Sequence, residues 1–130
     1  MTFRINGIEP DFQEKAGKKL LVARFKTGRV NATPKSMSLL AKYGFHQRDL
    51  IARFRAGDWS DVPVAQLRRN ELALIDGSKL LAWYRLLEPT WLESVPYSQQ
   101  KSLPTVWIET SAINNCGNRN TTTVFCSDDL

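Results

Sequence analysis

Polar side chains that could hold an anion cluster in the C-terminal third of this 130-residue chain. They are Arg85, Glu109, Arg119, Thr121 and Thr122. A guanidinium beside hydroxyl groups offers several converging donors, and such donors bind an oxyanion or a phosphate. The same residues fit a plainer interpretation, in which Glu109 pairs with an arginine across neighbouring strands. Both interpretations stay open, with these five residues as candidate catalytic or anion-binding groups.

Arginines also recur over residues 34–55, a segment with the length of a helix-turn-helix unit. Its second predicted helix carries Arg48, Arg53 and Arg55, which would face a phosphate backbone if the segment bound nucleic acid. The alternative is an ordinary pair of helices with a solvated basic face.

The charge of the whole chain is uneven. Residues 1–60 hold twelve basic and five acidic residues, whereas residues 61–130 hold six basic and eight acidic ones. A basic half attracts polyanions through its electrostatic field, although a net charge of this size also serves solubility. The charge therefore favours, without requiring, a nucleic-acid partner.

Cysteine and histidine are too sparse for most metal chemistry. Cys116 and Cys126 have no partner pair at zinc-ligand spacing, and His46 is the lone histidine. We therefore expect neither a metal nor another cofactor. No signal peptide and no apolar run long enough to span a membrane is evident. These features predict a cytoplasmic protein with unpaired thiols and no membrane partner.

The hydrophobic pattern changes period along the chain. Runs of β-forming residues predict strands over residues 20–26, 78–87, 104–110 and 121–126. Helical spacing predicts helices over residues 34–43, 47–55 and 63–76, ending at glycines. Helices gathered before a run of strands predict an α+β fold, with an antiparallel sheet of the three C-terminal strands or of all four, covered on one face.

Particular side chains should mark the helix ends. Thr33 should cap the first helix, with Pro34 at its first position, and Ser60 or Asp61 should cap the third. Val64 and Leu67 recur at helical spacing in that third helix.

Two segments stand apart from these elements. Residues 1–19 are polar and mixed and are predicted to be a flexible lead-in to a single domain over residues 20–130. Residues 88–103 lack periodicity and are predicted to form an insertion loop. Trp91 and Tyr97 lie in this loop and are candidate partner-binding residues, because exposed aromatics suit an interface.

Short motifs follow one another in a fixed order. They are Thr33-Pro34, Gly57-Asp58-Trp59-Ser60-Asp61, Asn70-Glu71 with Ala73-Leu74 and Gly77, Leu80-Leu81-Ala82 with Tyr84-Arg85, Trp107-Ile108-Glu109-Thr110, and Arg119 with Thr121-Thr122. On these motifs, from residue 23 to about residue 127, the chain resembles a family of small uncharacterised proteins of bacterial plasmids, phages and integrative elements. The resemblance implies a mobile-element setting.

The predicted topology is also similar, more distantly, to the barnase, EndoU, colicin and RelE group of ribonucleases. That similarity implies RNA cleavage by Arg85, Arg119, Thr121 and Thr122. The chain departs from the mobile-element family at Phe54, where relatives usually carry a histidine that could serve as a general base. It also departs at residues 118–120, Asn-Arg-Asn in place of an acidic-Arg-Ser run, and in its longer insertion over residues 88–103.

These observations support three hypotheses on function. The first is an accessory protein of a mobile element that acts by binding, for example an anti-CRISPR or anti-restriction inhibitor of host defence. Its partner would be a host protein or nucleoprotein, with RNA or DNA as further possible partners. The alternatives are a RelE-like endoribonuclease toxin and a DNA-binding regulator that uses residues 34–55.

Overall fold

The structure is a computed structural model that describes residues 22–87, 91 and 94–127. Its elements in chain order are β1 (Arg29–Ala32), α1 (Pro34–Lys42), α2 (Gln47–Arg55), α3 (Val64–Asp76), β2 (Leu80–Arg85), a 3-10 helix (Tyr97–Ser102), β3 (Thr105–Thr110) and β4 (Thr121–Phe125). The predicted α+β class with three helices is confirmed. The predicted lead-in over residues 1–19 lies outside the described residues, as do five positions of the predicted insertion.

The first strand is not where the sequence pattern placed it. Residues 22–26 are not a strand, and pairing begins only at Arg29, after Gly28. Gly28 has a φ of 67°, and a Cβ there would lie 2.3 Å from the Asn120 carbonyl oxygen. Phe25, an apolar residue of the predicted strand, instead packs its ring edge-on against Phe54, with centroids 5.4 Å apart. Phe25 therefore serves side-chain packing rather than a sheet.

The four strands form one mixed sheet in the order β1-β4-β3-β2. β2 with β3 and β3 with β4 are antiparallel, as expected for strands joined in sequence. β1 is parallel to β4, so the prediction of a wholly antiparallel sheet is wrong. The reason is that β1 and β4 are separated by all the other elements, and such a long connection permits parallel pairing.

The sheet has one buried face and one partly exposed face. Residues of the buried face join the side chains of the helices in a single core; they include Leu80, Tyr84, Val106, Ile108 and Val124. Their neighbours along each strand point the other way and are only partly buried, as the alternation of a pleated strand requires. We call this second side the outer face.

The start of α1 follows its sequence signals. The Thr33 side chain accepts a hydrogen bond from the Ser36 backbone N–H, and Pro34 occupies the first helical position. The hydroxyl of Ser36, which is fully buried, donates to the Val124 carbonyl at 3.1 Å. One short polar side chain thus ties α1 to the sheet.

α3 differs from its sequence-based prediction in the residue that caps it and in the side that is buried. Its N-cap residue is Pro63, which makes no capping bond, so the prediction that Ser60 or Asp61 caps this helix is wrong. The buried positions of α3 are Asn70 and Ala73, whereas Val64 and Leu67 are exposed.

Of the two residues expected to cap α3, Asp61 instead protects the free edge of β2. Asp61 accepts a hydrogen bond from the Arg85 backbone N–H at 2.9 Å through its carboxylate. Further along the same edge, the fully buried amide of Asn70 bonds both the N–H and the carbonyl of Leu81, at 3.2 and 2.8 Å. Side chains thus satisfy backbone groups that would otherwise offer an edge to another chain.

Candidate functional site

Three aromatic side chains cross the outer face in a single row. Trp83 of β2 is the register partner of Trp107 of β3, which is in turn the partner of Phe125 of β4. The ring centroids of the two tryptophans are 4.6 Å apart, and those of Trp107 and Phe125 are 6.2 Å apart with rings inclined by 30°. All three side chains are partly exposed. We call them the aromatic row; it places three partly exposed apolar rings side by side on the side of the sheet away from the core.

Polar side chains form the next row of the outer face. Register places Asn31, Thr123 and Glu109 side by side on β1, β4 and β3. Thr123 and Glu109 each lie two residues along their strand from a member of the aromatic row. The carboxylate of Glu109 lies 3.6 Å from the exposed ammonium of Lys79. The negative charge on this face is therefore balanced by a neighbouring cation.

A groove of about 710 Å³ opens at the other side of the aromatic row. Its described lining residues are Pro34, Lys35, Ser38, Leu39, Lys42, Arg85, Leu103, Pro104, Thr105, Trp107, Cys126 and Ser127. We call it the basic groove, because the described lining includes three cations and no carboxylate. Trp107 belongs both to this groove and to the aromatic row, so the two form one continuous surface.

Arg85 lies in the wall of the basic groove, and one of its hydrogen-bond donors has no partner among the described residues. Its guanidinium donates to the Thr105 hydroxyl at 2.8 Å, and the two residues are register partners on the outer face. Its Nε atom is buried and makes no hydrogen bond to the described residues. Pro34 and Lys35, in the first turn of α1, also line the groove, so the positive end of that helix dipole adds to the field of Lys35, Lys42 and Arg85. The groove is suited to an anion.

Of the predicted anion site, the structure places Arg85 and Arg119 at opposite ends of β2. Arg119 is buried, and its guanidinium donates to three backbone carbonyls, those of Ser78, Ser111 and Ala73, at 2.6, 3.0 and 2.9 Å. Desolvation lowers the pKa of Arg119 from its ordinary value. These contacts tie the end of α3 to the sheet.

The threonines of the predicted anion site face opposite sides of the sheet. Thr122 is fully buried, its hydroxyl 2.6 Å from that of Thr110 and bonded to the Thr27 carbonyl. Thr121 lies on the outer face, paired in register with Arg29. Glu109 lies on the outer face with Thr121, so the five predicted residues do not meet at one point.

The three arginines of α2 are also divided. Arg53 turns back onto the loop after the helix, where its Nε donates to Asp58 at 2.7 Å and its guanidinium lies 4.9 Å from the Tyr84 ring centroid. Arg48 and Arg55 line a separate groove of about 690 Å³ beside Val30. Two of the three predicted nucleic-acid contacts therefore share a surface.

The aromatic residues predicted to bind a partner lie in the insertion. Trp91 is 66% exposed. Tyr97 begins the 3-10 helix. Neither belongs to the aromatic row.

The sequence interpretation missed the aromatic row and the two lysines of the basic groove. In the sequence, Trp107 is visible only as part of the motif Trp107-Ile108-Glu109-Thr110, and nothing local pairs it with Trp83 or Phe125. The alternation within each predicted strand is a usable signal for which face a ring takes. The register across three strands is not encoded in any one of them.

Several residues of the short motifs set out in the sequence analysis stabilise the fold. Glu71 accepts hydrogen bonds from the buried Trp59 indole at 2.7 Å and from both terminal nitrogens of Arg24. These bonds, above all those from Arg24, hold the pKa of Glu71 below its ordinary value. The Tyr84 hydroxyl donates to the Asp58 carbonyl at 2.7 Å, and burial raises the pKa of that hydroxyl. The motif residues thus maintain the fold.

The described residues hold no group of three or more His, Cys, Asp or Glu side chains that could bind a metal ion. Cys116 is exposed and Cys126 lies in the core, and no disulfide joins these two described residues. Over the described parts of the chain, the helices are too short or too polar to cross a membrane.

Comparison with known proteins finds no matching family model, no similar curated protein and no similar solved structure.

Proposed function

We propose that this protein acts by binding single-stranded nucleic acid across the outer face of its sheet. The observation that carries the proposal is the aromatic row, which adjoins, at its central residue Trp107, a groove whose described lining includes three cations. Sheets that bind single strands stack bases on exposed aromatic rings and hold the phosphates with basic side chains. Both parts are adjacent here, and Trp107 belongs to each.

Base stacking is the interaction that this proposal assigns to the row. The described rings are supported by neighbouring rings at 4.6 and 6.2 Å, so they are held in place before a ligand arrives. Each stacked base is worth about 1–3 kcal/mol and needs no particular base identity. The proposal is therefore for binding with little sequence preference.

Binding is favoured over cleavage by the placement of Arg119 and Phe54. The guanidinium of Arg119 donates to three backbone carbonyls, and Phe54 is a fully buried ring within the core. A ribonuclease site would need a base and a cation turned toward the substrate.

For the biological setting we keep the hypothesis from the resemblance, that this is a mobile-element protein whose binding interferes with a host defence nucleoprotein.

The test is fluorescence anisotropy with labelled single-stranded RNA and DNA at low salt. Trp107→Leu removes the central ring but keeps an apolar side chain, and we expect it to weaken binding about tenfold or more. The matched control is Trp91→Leu, which removes an exposed tryptophan outside the row and should leave affinity unchanged. Thermal unfolding of each variant separates lost binding from lost folding.

Three outcomes would contradict the proposal. No binding of either single strand by the folded protein would refute it. A loss of affinity in Trp91→Leu with none in Trp107→Leu would show that the binding surface lies in the insertion and not on the aromatic row. Preference for duplex DNA, lost in Arg48→Ala, would support instead the regulator that uses residues 34–55.

A further inference from the structure

The two edges of the sheet differ in how their backbone groups are satisfied. On β2, the residues whose backbone groups point away from β3 all have partners. The side chain of Asn70 bonds the backbone of Leu81 at 2.8 and 3.2 Å. Asp61 donates its N–H to the Trp83 carbonyl at 3.4 Å and accepts at its carboxylate from the Arg85 N–H. The β2 edge is therefore closed to another strand.

The opposite edge, β1, is open among the described residues. The N–H groups of Arg29 and Thr33 donate toward β4, at 2.9 and 3.0 Å. Since successive residues of a strand point their backbone groups to opposite sides, those of Val30 and Ala32 point away from β4. Both residues are partly exposed, and these backbone groups have no hydrogen-bond partner among the described residues. β1 thus presents the alternating donors and acceptors with which an added strand pairs.

A groove of about 690 Å³ opens between β1 and α2. Val30 lines it on the strand side, and one face of α2 lines the other with residues at i, i+3, i+4 and i+7 spacing: Arg48, Ile51, Ala52 and Arg55. We call it the α2 groove. Its centre is apolar, and its described lining includes two guanidinium groups and no carboxylate.

The charges at this edge favour an acidic ligand. Arg48 is exposed, and the Nε of Arg55 is buried without a hydrogen bond to any described residue. Arg29, exposed on β1, adds a third cation. A second copy of this chain fits poorly, because pairing β1 with itself would bring the arginines of both copies to one edge.

The backbone groups distinguish a peptide from a nucleic acid. Phosphates accept hydrogen bonds from cations and N–H groups, but they have no donor for the carbonyls of Val30 and Ala32. A peptide backbone supplies both donors and acceptors in the spacing of a strand. The edge therefore fits an extended peptide better than a phosphate chain.

From the open edge and the α2 groove, we propose that β1 binds an extended acidic segment of a partner protein, which adds to the sheet as a further strand. The side chains of an added strand alternate, so every second one enters the groove. Glutamates at those positions lie about 7 Å apart, within the span of about 10 Å between Arg48 and Arg55 along α2. Their methylene groups pack beside Ile51, and their carboxylates reach the guanidinium groups.

The proposal does not rest on nucleic-acid binding. None of the described residues that line the α2 groove belongs to the aromatic row or lines the basic groove. A peptide on β1 and a nucleic acid on the outer face would therefore bind at separate places.

The test is fluorescence anisotropy of the full chain with a short labelled peptide in which Glu alternates with Val. We expect a dissociation constant on the order of 100 μM, because a short edge forms few backbone bonds. Arg48→Ala should weaken binding about fivefold by removing one charge pair. The matched control is Arg68→Ala, which removes an exposed arginine of α3 and should leave the affinity unchanged.

Strand addition has a readout that charge attraction lacks. On peptide binding, amide hydrogen exchange should slow at Val30 and Ala32 and change little at Asn31, whose N–H points toward β4. Ala32→Pro removes one outward N–H without touching a bond to β4, and should weaken binding at least about tenfold. Ala32→Ser keeps that N–H and should bind as the unmodified protein does. Thermal unfolding confirms that both variants fold.

Several results would overturn the proposal. They are no peptide binding at about 1 mM, equal binding of a peptide that alternates Lys with Val, and equal affinity of Ala32→Pro and Ala32→Ser. Slower exchange at Val30 and Ala32 with single-stranded RNA, and not with the peptide, would assign this edge to nucleic acid. Trp107→Leu should leave peptide binding unchanged, so this proposal and that of nucleic-acid binding fail separately.

Discussion

At the residue scale, the polar side chains that look chemically active mostly stabilise the fold. Arg119 is a strong candidate for anion binding by type, yet in the folded chain it bonds three carbonyl oxygens. Glu71 likewise joins two distant parts of the chain, Arg24 and Trp59. A buried polar group has to find partners, and those partners decide its role.

Glu71 gives a prediction about pH. Its pKa is lowered from the ordinary value of 4.5, so its bonds stabilise the fold above that pH and are lost as the pH falls through the lowered pKa. We expect Glu71→Gln to cost about 1 kcal/mol at neutral pH, a modest figure because the ion pair is partly exposed. The difference from the unmodified protein should shrink as the pH falls below 4.5.

Urea unfolding at neutral pH and at about pH 3 measures both quantities. Glu109→Gln is the matched control, because it removes a carboxylate from a looser exposed pair and should cost about 0.5 kcal/mol or less. A destabilisation by Glu71→Gln that is equally large in acid would show that the charge is not the cause.

At the element scale, the start of α1 follows from local sequence, whereas the cap of α3 and the strand pairings do not. Thr33 caps α1 as expected because its partner lies three residues away. The parallel pairing of β1 with β4 joins residues about ninety positions apart, and no local pattern specifies it. The backbone groups at the free edge of β2 are hydrogen-bonded by the side chains of Asp61 and Asn70. Local sequence predicts a different role for Asp61, as a cap of α3.

The protection of that edge can be tested at Asn70. Asn70→Ala removes a fully buried amide and leaves the Leu81 N–H and carbonyl without partners, at a cost of about 2–3 kcal/mol. Because β2 then presents an unsatisfied edge, we also expect faster aggregation on mild heating. Urea unfolding and light scattering measure the two effects.

Gln66→Ala is the matched control for Asn70. Gln66 donates to the Asn70 oxygen at 3.1 Å but does not contact the backbone of β2. It should cost less stability and leave aggregation unchanged. Equal behaviour of the two variants would refute edge protection by Asn70.

At the scale of the whole molecule, the proposed nucleic-acid surface combines elements that are far apart in the chain. The aromatic row lies on the outer face and the basic groove at one end of the sheet, and Trp107 belongs to both. The basic half of the chain supplies two of the groove's three cations, Lys35 and Lys42, both on α1.

The contribution of those cations appears as salt dependence. If Lys35, Lys42 and Arg85 each neutralise one phosphate, the logarithm of the binding constant should fall with the logarithm of salt with a slope of about −2. The double variant Lys35→Ala/Lys42→Ala should reduce that slope to about −0.7. Arg68→Ala/Arg69→Ala makes the same change of charge on α3 and should leave the slope unaltered. An affinity that does not depend on salt would contradict phosphate binding in the groove.

From its residues alone, the chain can be assigned to the α+β class with three helices and three C-terminal strands. These features depend on contacts within a few residues, such as the cap at Thr33 and the alternation around Trp107. The folded structure is needed to establish which rings stand side by side, where Arg119 finds its partners and which strands pair in parallel. Those outcomes depend on contacts between residues far apart in the chain, so no local pattern specifies them.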